Sequence, residues 1–105
     1  MSKVIELTMD NIDEIFSSNT NKRILVYIWC DWCEACLPMS KIFSSLAMER
    51  EDILFVKGDL NEVYFLAQHY KITRFPAFML FEGNRMVTSV FGYYNRKDLM
   101  FFLGL

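Results

Sequence analysis

The sequence contains few residues that interrupt regular structure or separate domains. Among its 105 residues are two prolines and four glycines, and no stretch rich in proline, glycine or serine is present. Internal repeats and low-complexity segments are also lacking. Chains of about 100–150 residues commonly build one hydrophobic core. We therefore expect residues 1–105 to form a single domain.

Strong net charge and long apolar runs are missing as well. The formal net charge is −2 at pH 7, which is too small to indicate nucleic acid or an anionic membrane surface as a partner. No run of about 18 apolar residues occurs, so a membrane-spanning helix is not expected. Acidic residues interrupt the N-terminal region where a signal peptide would be apolar. These features predict a cytoplasmic protein.

The sequence is rich in residues that can form a hydrophobic core: 53% are hydrophobic, including 10 phenylalanines and 7 methionines. Its apolar pattern predicts strands over 4–7, 23–29, 53–56, 77–81 and 86–91, and helices over 12–16, 33–50, 62–70 and 96–103. The order βαβαβαββα indicates an α/β fold in which helices cover both faces of a central mixed sheet. Because both faces would be covered, we expect a monomer.

Three cysteines are crowded into seven residues, at positions 30, 33 and 36. This odd number of close cysteines cannot join distant loops as a disulfide framework, and paired thiols in a reducing cytosol are usually catalytic, redox-sensing or metal-binding. Cys33 follows a predicted buried strand where the next helix begins, and a helix N-terminus favours a thiolate. Cys36, one turn later, can attack a disulfide formed on Cys33. The pattern predicts thiol–disulfide exchange, with Cys33 as nucleophile and Cys36 as resolving thiol.

Other interpretations of the cysteines concern metal binding and Cys30. The C-x-x-C-x-x-C spacing is similar to part of an iron–sulfur motif, but a cluster needs a fourth ligand, and the other soft candidate is His69 in a separate predicted helix. Cys30 is expected on or just after a strand, so the three sulfur atoms need not converge, and we predict no metal site. Cys30 is expected to pack as a small buried thiol; a regulatory or glutathionylated cysteine is the alternative.

Over nearly its whole length the sequence resembles the thioredoxin family. Residues 32–36 (Trp-Cys-Glu-Ala-Cys) are similar to that family's Trp-Cys-x-x-Cys between a strand and a helix, residues 75–76 (Phe-Pro) to its cis-proline loop, and residues 91–92 (Phe-Gly) to its glycine turn. The resemblance implies a protein-disulfide reductase with a redox-active Cys33–Cys36 disulfide. It also implies a substrate-binding groove formed by Trp32, Phe75, Pro76, Phe91, Gly92 and Tyr93.

The resemblance further implies disulfide-containing proteins as substrates and an external electron donor like thioredoxin reductase. The sequence contains no flavin- or nicotinamide-binding motif, so we expect no cofactor in this chain. Two alternatives stay open. One is an oxidase or isomerase of the same fold, which would need an oxidising compartment. The other is a binding or regulatory module with attenuated redox activity, which docks a partner in the groove around Trp32, Phe75, Pro76 and Gly92.

Several positions depart from the family's pattern close to the cysteines. Glu34 and Ala35 replace the usual Gly-Pro, and the negative charge of Glu34 disfavours a thiolate on its neighbour. Tyr27 stands where the family usually has a buried aspartate that carries the proton of the resolving cysteine, and a neutral tyrosine is a poor base. Lys57 matches a recurring residue of the family. We expect these four residues to tune the reaction.

Two further departures affect the groove and the helix that follows the cysteines. Arg74 stands where the family generally has a small residue. Its guanidinium would favour the Cys33 thiolate, offset Glu34 and attract acidic partners; a solvated surface arginine is the alternative. The family's helix-kinking proline is replaced by Lys41, while Pro38 appears earlier, and we expect the kink to move toward the cysteines.

Overall fold

The computed structural model of the chain describes residues 3–105, which form five strands and four helices. In chain order these are β1 (Val4–Leu7), α1 (Ile12–Ser18), β2 (Arg23–Trp29), α2 (Cys36–Glu49), β3 (Ile53–Asp59), α3 (Tyr64–His69), β4 (Ala77–Glu82), β5 (Arg85–Phe91) and α4 (Arg96–Leu103). The predicted order βαβαβαββα and the α/β class are confirmed. Among the described residues, no helix has the length and apolar character needed to cross a membrane.

The strands form one mixed sheet in the order β1-β3-β2-β4-β5. β2 pairs in parallel with β3 and antiparallel with β4, and β5 continues antiparallel at one edge. β2 is central, and its residues 24–28 are all buried. Burial on both faces is the reason that this strand reads as an unbroken apolar run.

Alternating side chains of β2 enter two separate cores, as the two-residue period of a strand requires. Leu25 and Tyr27 point to the face covered by α2 and α4, where Phe43 and Leu99 pack against them. The residues between them point to the opposite face, which α1 and α3 cover. The predicted coverage of both faces is confirmed, and it holds β2 rigid up to its carboxyl end.

The start of α2 differs from the sequence prediction. The helix begins at Cys36, not at Cys33, and residues 31–35 form turns ahead of it. Pro38 is thus the third helical residue, in the first turn, where a backbone N–H has no helical partner in any case. The expected loss of a hydrogen bond inside the helix does not occur, so our premise for a kink at Pro38 was wrong.

Other boundaries differ by a few residues. β3 continues to Asp59, three residues beyond the prediction, while α3 is shorter and spans six residues. The hydroxyl of Thr8 accepts hydrogen bonds from the backbone N–H groups of Asp10 and Asn11, both at 3.2 Å. It therefore turns the chain just ahead of α1, which begins after Asn11.

Candidate active site

The three cysteines meet where β2 ends and α2 begins. Cys30 directly follows β2, and two successive turns lead from it to the helix: the N–H of Cys33 donates to the carbonyl of Cys30 at 3.3 Å, and the N–H of Cys36 to the carbonyl of Cys33 at 3.2 Å. A turn closed by an i to i+3 hydrogen bond brings the residues at its two ends close together. The three sulfur atoms accordingly lie within 4.8 Å of one another. The strand position predicted for Cys30 left this convergence open.

The three thiols differ in exposure: Cys33 is the outer thiol, and Cys30 and Cys36 are the inner thiols. Cys33 is half-buried, whereas Cys30 and Cys36 are 2% and 4% exposed. All three are free thiols. The Sγ of Cys33 donates to the carbonyl oxygen of Phe75 at 3.2 Å. Cys33 therefore faces the loop that the sequence placed opposite it and is the thiol that an incoming molecule meets first.

Burial has a clear electrostatic effect on the two inner thiols. It raises the pKa of Cys36 to about 12, and a hydrogen bond and charge repulsion with Cys33 contribute to the shift. Burial likewise raises the pKa of Cys30 to about 11, with charge repulsion from Cys33 as the second cause. Both inner thiols carry their protons at neutral pH, so either would have to lose a proton to act as a nucleophile.

Tyr27 lies beneath this cluster with its side chain fully buried. Its hydroxyl donates to the carbonyl oxygen of Cys36 at 2.8 Å and shares a 2.9 Å hydrogen bond with the hydroxyl of Ser40. Burial raises the pKa of Tyr27 far above its usual value, so the phenol stays neutral. It anchors the first turn of α2, and Ser40, which the sequence analysis did not single out, completes this anchor from one turn further along the helix.

Some of the residues predicted for the groove contact one another near Cys33. Trp32 is 69% exposed, and its ring stands edge-on to that of Phe75 at a centroid distance of 6.1 Å. The Phe75–Pro76 peptide is cis, and Gly92, at φ +105°, donates its N–H to the carbonyl of Pro76 at 2.8 Å. A positive φ of this kind favours glycine. Three large apolar side chains are also exposed along the groove or beside it: Leu37, Phe91 and Tyr93.

The charged residues near the site have separate positions. Glu34 is exposed in the turn between Cys33 and Cys36, with Ala35 half-buried beside it. The guanidinium carbon of Arg74 lies 5.0 Å from the centroid of the Phe91 ring. Arg74 is exposed and lies against the Phe91 ring.

A cavity of about 610 Å³ opens beside the cysteines, lined by Trp29, Cys30, Asp31, Trp32, Cys33, Glu34, Cys36, Leu37, Ser40 and Lys57. The ammonium of Lys57 lies 5.5 Å from the centroid of the Trp29 ring. The indole Nε1 of Trp29 is buried and has no hydrogen-bond partner among the described residues. Lys57 thus places a cation at the wall of the cavity that also contains the three thiols.

The arrangement supports two kinds of chemistry at the sulfur atoms. Dithiol–disulfide exchange needs two thiols in contact, one of them accessible, and the Cys33–Cys36 pair meets this need. Three thiolates are also ligands for soft metal ions. His69, considered as a fourth ligand, is exposed on α3 and lines a different cavity. The described residues therefore favour exchange at this site.

Comparison with known proteins gives a consistent result. The model of the thioredoxin family matches residues 3–104. The chain is 31% identical over 103 residues to a thioredoxin of Buchnera aphidicola subsp. Baizongia pistaciae, covering 97% of this chain and 94% of that one. It is 27% identical over 88 residues to a thioredoxin of Mycoplasmoides gallisepticum, covering 84% and 86%. The crystal structure of thioredoxin f from spinach chloroplast, short form, superposes with a TM-score of 0.86 at 29% identity, covering 98% and 93%.

Proposed function

The chain belongs to the thioredoxin family, a family of thiol–disulfide oxidoreductases, and we propose that it reduces disulfides of protein substrates. The observation that carries this proposal is the half-buried Cys33. Its sulfur faces the carbonyl of Phe75 at 3.2 Å and has the buried sulfur of Cys36 within 4.8 Å. Cys33 can thus form a mixed disulfide with a substrate, and Cys36 lies close enough to resolve it.

In the proposed reaction the thiolate of Cys33 attacks one sulfur of a substrate disulfide. An S–S bond forms between Cys33 and the substrate, and the substrate's other sulfur leaves as a thiolate that takes up a proton. Cys36 then loses its proton and attacks the Sγ of Cys33, which releases the second substrate thiol. Two electrons pass to the substrate, and the protein is left with a Cys33–Cys36 disulfide.

We propose that the substrate binds as an extended segment along the groove. Trp32, Phe91 and Tyr93 offer exposed aromatic area, which suits the apolar residues around a buried or partly unfolded disulfide. Phe75, Pro76 and Gly92 form the floor beside Cys33. Arg74, held over Phe91, adds a positive charge at the rim and favours acidic segments.

The remaining features of the proposal follow from the sequence. An external reductase similar to thioredoxin reductase returns two electrons to the disulfide, because no flavin or nicotinamide motif is present in the chain. We propose that the protein acts in the cytoplasm, as one domain and as a monomer, without a bound cofactor.

The proposal is tested with the reduction of insulin disulfides by dithiothreitol, followed as turbidity. We expect the protein to accelerate the reaction well above dithiothreitol alone, because dithiothreitol recharges the Cys33–Cys36 pair. Protein whose accessible thiol has been alkylated beforehand serves as the control and should give no acceleration. If the untreated protein is no faster than the alkylated one, the reductase proposal fails and the binding-module alternative gains support.

The charge of Glu34 gives a prediction for the reactivity of Cys33. We expect Glu34→Gln to increase the rate of Cys33 alkylation by iodoacetamide at pH 7 by a few-fold, because the change removes a negative charge next to the thiolate, and close charge pairs in water interact by about 1 kcal/mol or less. Glu14→Gln, a neutralised exposed acid on α1, should leave the rate unchanged. Equal rates in Glu34→Gln and in the unmodified protein would contradict a tuning role for Glu34.

A further inference from the structure

Cys30 takes no part in the reaction proposed above, yet it belongs to the same cluster. Its side chain is 2% exposed, and its sulfur lies within 4.8 Å of those of Cys33 and Cys36. A small buried thiol that served packing alone would have no need to face the two reacting sulfur atoms. Its position beside the accessible sulfur of Cys33 indicates a role in the chemistry at that sulfur.

The backbone places Cys30 and Cys36 in equivalent positions relative to Cys33. Each is separated from Cys33 by one turn closed by an i to i+3 hydrogen bond, at 3.3 Å on one side and 3.2 Å on the other. The Cα atoms at the ends of such a turn are under about 7 Å apart, and disulfides span Cα distances of about 4.4–6.8 Å. Both the Cys30–Cys33 pair and the Cys33–Cys36 pair therefore fall within the Cα range that a disulfide can span.

We propose that Cys30 is a second resolving thiol of this protein, an inference that rests on the proposed function. When Cys33 is joined to a substrate, Cys30 loses its proton and attacks the Sγ of Cys33. A Cys30–Cys33 disulfide forms, the bond between Cys33 and the substrate breaks, and the substrate sulfur leaves with the electron pair and takes up a proton. An added dithiol then reduces the new disulfide, as it would the Cys33–Cys36 one.

The properties of the two inner thiols support this assignment. Burial raises the pKa of both Cys30 and Cys36 well above its usual value, so each keeps its proton until it attacks. Both are shielded from solvent, and a substrate disulfide therefore reacts first at Cys33. Cys30 acts only on a bond already formed at its neighbour. Two resolving thiols shorten the life of the mixed disulfide.

The test is a single turnover with dithiobis(nitrobenzoate), whose coloured thiolate is counted, using reduced and chelator-treated protein. In Cys36→Ala, the two remaining cysteines are Cys30 and Cys33. We expect this variant to release about two equivalents of thiolate and to end two hydrogens lighter by intact mass, because an internal disulfide forms. Cys30→Ala/Cys36→Ala should release about one equivalent and keep the nitrobenzoate adduct.

One further variant and one activity assay separate the outcomes. Cys30→Ala alone should release about two equivalents through Cys36. An adduct retained on Cys36→Ala, with one equivalent released, overturns the inference; so does a second adduct, which would show direct reaction of Cys30 with the reagent. If the double variant does not fold, the mass of Cys36→Ala still decides. Failure of the proposed function is distinguished by insulin reduction, which the unmodified protein would then not catalyse.

Discussion

Replacing Cys33 by serine is expected to abolish catalysed insulin reduction, leaving the rate of dithiothreitol alone. The other two thiols cannot take over, because Cys30 and Cys36 are 2% and 4% exposed and carry their protons at neutral pH. A serine hydroxyl at position 33 has nearly the same size, but it is not ionised and does not attack a disulfide. The whole acceleration should be lost while the fold is kept.

The matched variants at the two inner positions make this expectation specific. Cys30→Ser should keep most of the activity, because Cys36 still resolves the mixed disulfide. Cys36→Ser should keep a measurable part of it through Cys30. Circular dichroism checks that all three variants fold. Catalysis retained by Cys33→Ser would show that substrate enters through another thiol and would contradict the proposed order of attack.

Much of the fold could be predicted because the apolar pattern is strong. The run over 23–29 reads as a strand buried on both faces, and β2 occupies those residues in the centre of the sheet. α4 likewise begins and ends at the predicted residues, 96 and 103. Asn95 accepts a hydrogen bond from the N–H of Asp98 at 2.9 Å, a polar cap that marks this start in the sequence. Strong local signals agree with the tertiary structure at these places.

The start of α2 could not be predicted in the same way. Apolar spacing is compatible with a helix from Cys33 or from Cys36, and it does not distinguish i to i+3 from i to i+4 hydrogen bonds. The three-residue turns from Cys30 to Cys36 bring the sulfur atoms together. If Cys30 is assigned to the strand, the two-residue period of strand side chains does not predict that its sulfur lies near those of Cys33 and Cys36. The convergence is thus a property of the loop backbone, which sequence patterns describe poorly.

The positions of long side chains could not be predicted from the sequence either. Arg74 was identified as a groove residue that would act on Cys33 or lie in solvent, and the structure places its guanidinium over the ring of Phe91. That choice depends on one rotamer and on which aromatic side chain is exposed nearby. Tyr27 shows the same limit: its position in the core follows from the strand pattern, whereas its hydrogen bond to the Cys36 carbonyl does not.

Tyr27→Ala is expected to cause the largest loss of stability, lowering the free energy of unfolding by about 3–5 kcal/mol. The fully buried ring stacks on Phe78 at a centroid distance of 4.9 Å and an interplanar angle of 9°, and it lies 5.1 Å from Phe43. Alanine would leave a cavity between β2, α2 and β4. Because single domains are stable by about 5–15 kcal/mol, urea denaturation should show a much lower midpoint.

Two companion variants separate the contributions of the ring and the hydroxyl. Tyr27→Phe keeps the stacking and loses the 2.8 Å and 2.9 Å hydrogen bonds to the Cys36 carbonyl and Ser40, so we expect a loss of about 1–2 kcal/mol. Tyr93→Ala, at a position 59% exposed, should change stability by less than about 0.5 kcal/mol. If Tyr27→Phe were as unstable as Tyr27→Ala, the hydrogen bonds of the hydroxyl, and not the packing of the ring, would account for the stability that Tyr27 contributes beneath the cysteines.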